Sequence, residues 1–195
     1  MWLFRLHVHG AENEPAASDG PYIICGNHTF FADPIFLCAV TKQQQPHFMA
    51  KKELFRIPLL NLLIKGLGAF PVDRGGSDVS AIKKSISLLK EGKCVGIFPQ
   101  GHRYVGVDPR NTEIHHGLGM IASRTHAAIL PCYLCMKDYE YKFGRRVDIV
   151  IGKPMPYEEY AGGLSGTAEY TAITEKVYDR ICTLGEQFKS GEKRV

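Results

Sequence analysis

The stretch Gly26-Asn27-His28-Thr29-Phe30-Phe31-Ala32-Asp33-Pro34 follows a continuous apolar run, Tyr22-Ile23-Ile24-Cys25, and precedes a second one from Ile35 to Val40. A short apolar run, a turn and then Asp-Pro read as strand, loop and helix, with Asp33 as the N-cap and Pro34 at the first helical position. His28 then leaves the sheet at the carboxyl end of a buried strand. On one continuous helix, the five-residue step from His28 to Asp33 would set the two side chains about 140° apart, so they can meet only across the loop. An Asp bonded to one imidazole nitrogen fixes the tautomer and raises the basicity of the other, as a general base requires. Taken alone, the pair also fits a loop histidine beside a helix cap, so its meaning depends on the rest of the chain.

Outward from this loop the chain alternates strands and helices. Phe4, Leu6 and Val8 alternate with Arg5, His7 and His9 as a half-buried strand, and Ala11 to Pro21 is a turn-rich connection. His47 to Ala50 is a short strand. Leu54 to Leu67 is apolar on nearly every side apart from Arg56, Asn61 and Lys65, the mark of a helix buried in the core or of one meeting lipid. Phe70-Pro71-Val72-Asp73-Arg74-Gly75-Gly76 follows, its glycines permitting a turn that aims Arg74 into a pocket. Ser77 or Asp78 caps a helix striped by Val79, Ile82, Ile86 and Leu89. Cys94 to Pro99 is an inner strand that brings Gln100-Gly101-His102-Arg103 to the same sheet edge as His28, where ligands bind in open α/β sheets. Further strands are expected at Ala128 to Leu134 and Val147 to Gly152. A final helix at about 165–189 carries Tyr170, Ile173, Val177, Ile181, Leu184 and Phe188 on one face. The expected fold is a single α/β domain over 1–195, its central sheet mixed but mostly parallel and flanked by helices.

Composition narrows the function. With 195 residues, 45% hydrophobic and 23% charged, the chain is globular rather than disordered. A formal charge of +4 suits phosphate-bearing ligands or anionic lipid and falls far short of a nucleic-acid-binding protein. The six cysteines are scattered through apolar runs, which favours a reducing cytoplasm over a disulfide framework. Cys132 and Cys135 would face opposite sides of one strand, and the adjacent His115 and His116 lack companions at ligand spacing, so no metal site is expected. No window approaches the length of a membrane-spanning helix.

Four stretches, in this order, resemble the motifs of the glycerolipid acyltransferases, and of the 1-acylglycerol-3-phosphate acyltransferases among them. They are Asn27-His28 through Asp33-Pro34, Phe70 to Gly75, Ile97 to Arg103 and Ile129-Leu130-Pro131-Cys132, and the similarity covers roughly residues 10–156. The resemblance implies transfer of a fatty acyl group from acyl-CoA or an acyl carrier protein thioester to the free hydroxyl of a lysophosphatidate-like acceptor, with no further cofactor. His28 would be the base and Asp33 its orienter. Lys51, Arg74 and Arg103 would hold the acceptor phosphate, and Asn27, Gln100, Gly101 and His102 would line the substrate site. Direct attack by the hydroxyl needs no nucleophilic serine or cysteine. In the third motif, Gln100 and His102 stand where the family usually has Glu and Thr, which leaves the acceptor open among lysophosphatidate, glycerol-3-phosphate and other lysophospholipids. The N-terminal membrane helices of many relatives have no counterpart, so a cytoplasmic protein attached peripherally to the membrane through the Leu54 to Leu67 region is expected. A non-catalytic lipid-binding relative is the competing class, and retention of both His28 and Asp33 argues against it.

Overall fold

The computed structural model of the protein describes residues 5–72 and 79–191. Its strands are β1 (Leu6–His9), β2 (Tyr22–Gly26), β3 (His47–Lys51), β4 (Phe70–Val72), β5 (Val95–Ile97), β6 (Ala128–Met136) and β7 (Val147–Ile151). They form one seven-stranded sheet in the order β1-β7-β6-β2-β5-β3-β4. Among the described residues β6 and β7 pair antiparallel and every other neighbouring pair is parallel, the mixed, mostly parallel sheet expected. The helices are α1 (Asp33–Val40), α2 (Pro58–Gly66), α3 (Val79–Lys90), α4 (Gly117–Thr125), a single turn α5 (Tyr157–Tyr160) and α6 (Gly166–Ser190).

β2 sits at the centre, flanked by β5 and β6, and all five of its residues are buried. Successive side chains on a strand point to opposite faces, and here both faces are covered. Ile23 and Cys25 join Ile97 and Ile129 in the core under α3, α4 and α6. Tyr22 and Ile24 join Leu130 and Ile149 in the core that receives Phe36, Leu37 and Val40 of α1. The same alternation separates Cys132, on the α1 side, from Cys135, which packs toward α6. β1 is an edge strand. Its burial is lighter than the alternation suggested, since Val8 faces solvent.

Two expectations are corrected. Asp33 is not the N-cap of α1: the helix begins at Asp33 itself, Ala32 takes the cap position, and the Asp33 carboxylate turns back into the preceding loop. Core burial of the Leu54 to Leu67 segment also fails. It divides into a 3-10 turn at Lys52–Arg56 and α2, and neither contains a buried residue. Leu59, Leu62 and Leu63 of α2 are 82%, 74% and 53% exposed, because the helix rides outside the sheet rather than against it. The caps expected for α3, Ser77 or Asp78, lie outside the described residues, as do Asp73, Arg74, Gly75 and Gly76.

α4 crosses α6 at backbone contact. A Cβ on Gly119 would stand 2.0 Å from the carbonyl oxygen of Tyr170, and the Gly119 N–H donates to Thr174 Oγ1 at 3.0 Å. Overpacking a well-filled contact costs about 1–3 kcal/mol, and here the obstacle is backbone that cannot rotate away. Gly119→Ala is expected to lower stability by at least about 1 kcal/mol, seen as a lower denaturation midpoint with an unchanged denaturant slope. A midpoint equal to the parent's would mean that the helices do not approach this closely.

Candidate active site

The loop leaving β2 is organised by one buried oxygen. Asp33 Oδ2 accepts from the backbone N–H of Thr29 at 2.7 Å and of Phe30 at 2.8 Å, and it lies 2.9 Å from His28 Nδ1. The Asp33 side chain is 0% exposed, and its Oδ1 has no hydrogen-bond partner among the described residues. A buried carboxylate needs donors, and the two backbone amides already mark Oδ2 as an acceptor. Nδ1 of His28 therefore carries the proton and donates it, which leaves the lone pair on Nε2. The His28 ring is held flat against Phe98, with centroids 4.3 Å apart and planes 19° apart, and Phe98 in turn stacks on Phe48. Its side chain is 13% exposed.

His28 borders a cavity of about 600 Å³ at the carboxyl ends of β2, β3, β4 and β5. The far walls are apolar, formed by Ile82 of α3, Leu118 and Ile121 of α4, and Val72 and Ile97 from the sheet. Near His28 the rim carries His102 and His115. The turn leading into His102 depends on Gly101, whose φ is +68° and whose Cβ, were there one, would lie 2.6 Å from His115 Cδ2. The loop from Tyr104 to Thr112 starts against the His28 loop, where Tyr104 N–H donates to the His28 carbonyl at 3.0 Å. Arg110 anchors that loop to α6 through Asp179, Glu186 and Thr183.

Among the residues expected from sequence, His28, Asp33 and Gln100 are in direct contact, and Gly101 and His102 line the same cavity as His28. Lys51 ends β3 beside Val72, and Arg103 follows His102; both are exposed, and neither side chain has a hydrogen bond or ion pair among the described residues. Asn27 and Gln100, expected from sequence to line the substrate site, are both 0% exposed, and their side chains bond within the protein. Asn27 splints the loop to β6, donating to the Leu134 carbonyl at 3.1 Å and accepting from the Leu134 N–H at 2.8 Å. Gln100 accepts from the His28 N–H at 2.5 Å and donates to Thr112 Oγ1 at 3.0 Å.

Sequence reasoning assigned no role to Phe98, Thr112 or Tyr178, and considered His115 only as a metal ligand. Phe98 could have been found, because an aromatic residue leaving an inner strand at this edge must pack beside the loop after β2. Thr112 and Tyr178 carry no local signal. They meet at 3.0 Å only because α6 returns over the sheet. Burial holds the Tyr178 phenol well above its ordinary pKa, which keeps it a neutral partner.

The chain matches the family model described as Acyltransferase over residues 5–135. It is 34% identical over 178 residues to the 1-acyl-sn-glycerol-3-phosphate acyltransferase of Bacillus subtilis (strain 168), covering 90% of this chain and 86% of that protein. With the 1-acyl-sn-glycerol-3-phosphate acyltransferase of Streptococcus pneumoniae (strain ATCC BAA-255 / R6) it shares 33% identity over 160 residues, 80% of this chain and 58% of the relative. The crystal structure of the 1-acyl-sn-glycerophosphate (LPA) acyltransferase PlsC from Thermotoga maritima superposes with a TM-score of 0.70 at 25% identity, covering 96% of this chain and 73% of that one.

The two members of the pair differ in what they contribute to stability. Asp33→Ala strands two backbone N–H groups and the His28 ring N–H, and a buried donor left unpaired costs about 1–3 kcal/mol. His28→Ala removes a partly exposed ring from a loop. Thermal or chemical unfolding is expected to show Asp33→Ala destabilised by about 2 kcal/mol or more and His28→Ala within about 1 kcal/mol of the parent. The reverse order would contradict the hydrogen bonds at Oδ2.

Proposed function

The chain belongs to the Acyltransferase family, and on that premise we propose that it transfers a fatty acyl group from a thioester to the free hydroxyl of 1-acylglycerol-3-phosphate, giving phosphatidate. The observation that carries this reading is the His28 to Asp33 hydrogen bond, set at the polar end of an otherwise apolar cavity. With Nδ1 committed to Asp33, Nε2 of His28 takes the acceptor's hydroxyl proton as the oxygen attacks the thioester carbonyl carbon. The C–S bond then breaks, and the departing thiolate recovers the proton from the imidazolium. Asp33 stays ionised and stabilises that imidazolium.

The acyl oxygen bond forms directly, with no enzyme-bound ester. Burial agrees with this. It pushes the Cys38 and Cys94 thiols up to about 11 and Cys182 up to about 12, so none is a ready thiolate near neutrality. The acyl chain occupies the apolar part of the cavity, between Ile82, Leu118 and Ile121. Arg103 and Lys51 grip the acceptor phosphate, as their exposure and lack of internal partners allow. Arg74, outside the described residues, retains the same proposed role by its place in the second motif. Acyl-CoA or an acyl carrier protein thioester is the donor, and no other cofactor enters.

Both lipid substrate and product favour work at a bilayer surface. No helix among the described residues is long and apolar enough to cross a membrane. α2 instead suits an interfacial position. Its exposed leucines lie on an amphipathic helix, Ile57 beside it is 51% exposed, and Arg56 and Lys65 can hold anionic headgroups while their stems lie along apolar surface.

Purified protein incubated with liposomes, acyl-CoA or acyl carrier protein thioester, and a panel of lysophosphatidate, glycerol-3-phosphate, lysophosphatidylcholine and lysophosphatidylglycerol tests the reaction. Lysophosphatidate is expected to be preferred. His28→Ala should lose on the order of 10²–10⁴-fold in turnover, and Arg103→Ala should raise KM for the phosphorylated acceptor far more than for the donor. Wild-type turnover in His28→Ala would end the general-base assignment, and a preference for a lysolipid with a substituted headgroup would overturn the acceptor. Sedimentation with anionic liposomes is expected to weaken when Leu59, Leu62 and Leu63 are all changed to Ser in a protein that stays folded. Undiminished sedimentation would place the attachment elsewhere.

A further inference from the structure

Gln100 occupies the third-motif position where the sequence resemblance leads one to expect Glu, and the structure places it beneath the base rather than in the substrate site. Its side chain is fully buried. The His28 backbone N–H can only donate, so the Gln100 atom that meets it at 2.5 Å is the carbonyl Oε1. That orientation sends Nε2 to Thr112 Oγ1 at 3.0 Å. Thr112 uses its own proton on the Pro109 carbonyl at 2.8 Å and stands 3.0 Å from the Tyr178 hydroxyl. A continuous chain of hydrogen bonds therefore runs from α6 through Thr112 and Gln100 to the main chain of His28. On the opposite side the His28 ring is fixed by Asp33 and by the Phe98 face.

We propose that Gln100 is a positioning residue for the base, governing acyl transfer through the main chain of His28 without touching either substrate. The proposal rests on the acyltransferase reading above. It also accounts for the Gln in place of Glu at this position. A neutral amide supplies one acceptor to His28 and one donor to Thr112, and both are used, with no buried charge to neutralise. Glu at the same place could still accept from His28. When protonated it would donate to Thr112, and when ionised it would accept Thr112's proton, with Tyr178 then left to serve the Pro109 carbonyl at 3.2 Å. Leucine, of similar size, can do neither.

Kinetics of three variants, together with amide hydrogen exchange, test this. In Gln100→Leu, kcat is expected to fall roughly 10- to 100-fold, as for a reacting group displaced by a fraction of an ångström to an ångström, with KM for acceptor and donor each within about twofold of the parent. Gln100→Glu is expected to restore kcat to within about threefold. Thr112→Val, a milder change that keeps the acceptor for His28, should lower kcat by less than Gln100→Leu, again with KM unmoved, and serves if Gln100→Leu does not fold. Independently of any substrate, amide hydrogen exchange at His28 should be faster in Gln100→Leu, or in Thr112→Val, than in the parent. A rise in acceptor KM with kcat intact would make Gln100 a substrate contact and overturn the proposal. So would unchanged exchange at His28, even in a preparation that showed no transfer to any acceptor. That last result would count against the acyltransferase reading itself and leave the exchange comparison as the test of the hydrogen bond.

Discussion

Three donors converge on Oδ2 of Asp33, and the active loop takes its shape from that convergence. Two backbone amides and one imidazole N–H fold residues 28–30 around a single buried oxygen, and a buried anion without them would be unstable. One side chain thus fixes the turn after β2, starts α1 in register and selects the tautomer of His28. Because Asp33 is spent inward, it cannot cap its own helix, and Ala32 stands at the cap with no side-chain hydrogen bond. A little helix stability is exchanged for a fixed imidazole.

The rest of the molecule braces this arrangement from several directions. Asn27 ties the loop's first residue to β6, the Tyr104 N–H holds the His28 carbonyl, and Gln100 holds the His28 N–H. The segment that supplies Tyr104 and Thr112 is itself fastened to α6 by Arg110 and Tyr178. The C-terminal helix therefore serves the site although none of its residues lines the cavity. By contrast, α2 contains no buried residue and presents leucines to solvent, which sets it apart from the brace.

The cavity joins two chemistries in one space. Its polar end holds the histidines, and its walls toward α3 and α4 are aliphatic. A lipid whose reacting group is polar and whose bulk is apolar is the ligand that such a division matches. The stacked series His28, Phe98 and Phe48 marks the border between the two halves.

From the sequence alone came the elements whose patterns are local. The apolar runs at Tyr22 to Cys25 and Cys94 to Pro99 could only be inner strands, and the turns after them could only open at the same sheet edge, so His28, Asp33 and Gly101 to Arg103 were assigned to one region. The bulk of Leu54 to Leu67 was legible as apolar, but not its environment, because periodicity reports which residues are apolar and not whether another element arrives to cover them. Tertiary structure alone left Leu59, Leu62 and Leu63 more than half exposed. It likewise turned Asp33 away from its helix and buried Asn27 and Gln100 in hydrogen bonds within the protein. A polar side chain's partner is set by what lies across the loop in space: Leu134, more than a hundred residues on from Asn27, and Thr112, held in place by a helix near the end of the chain.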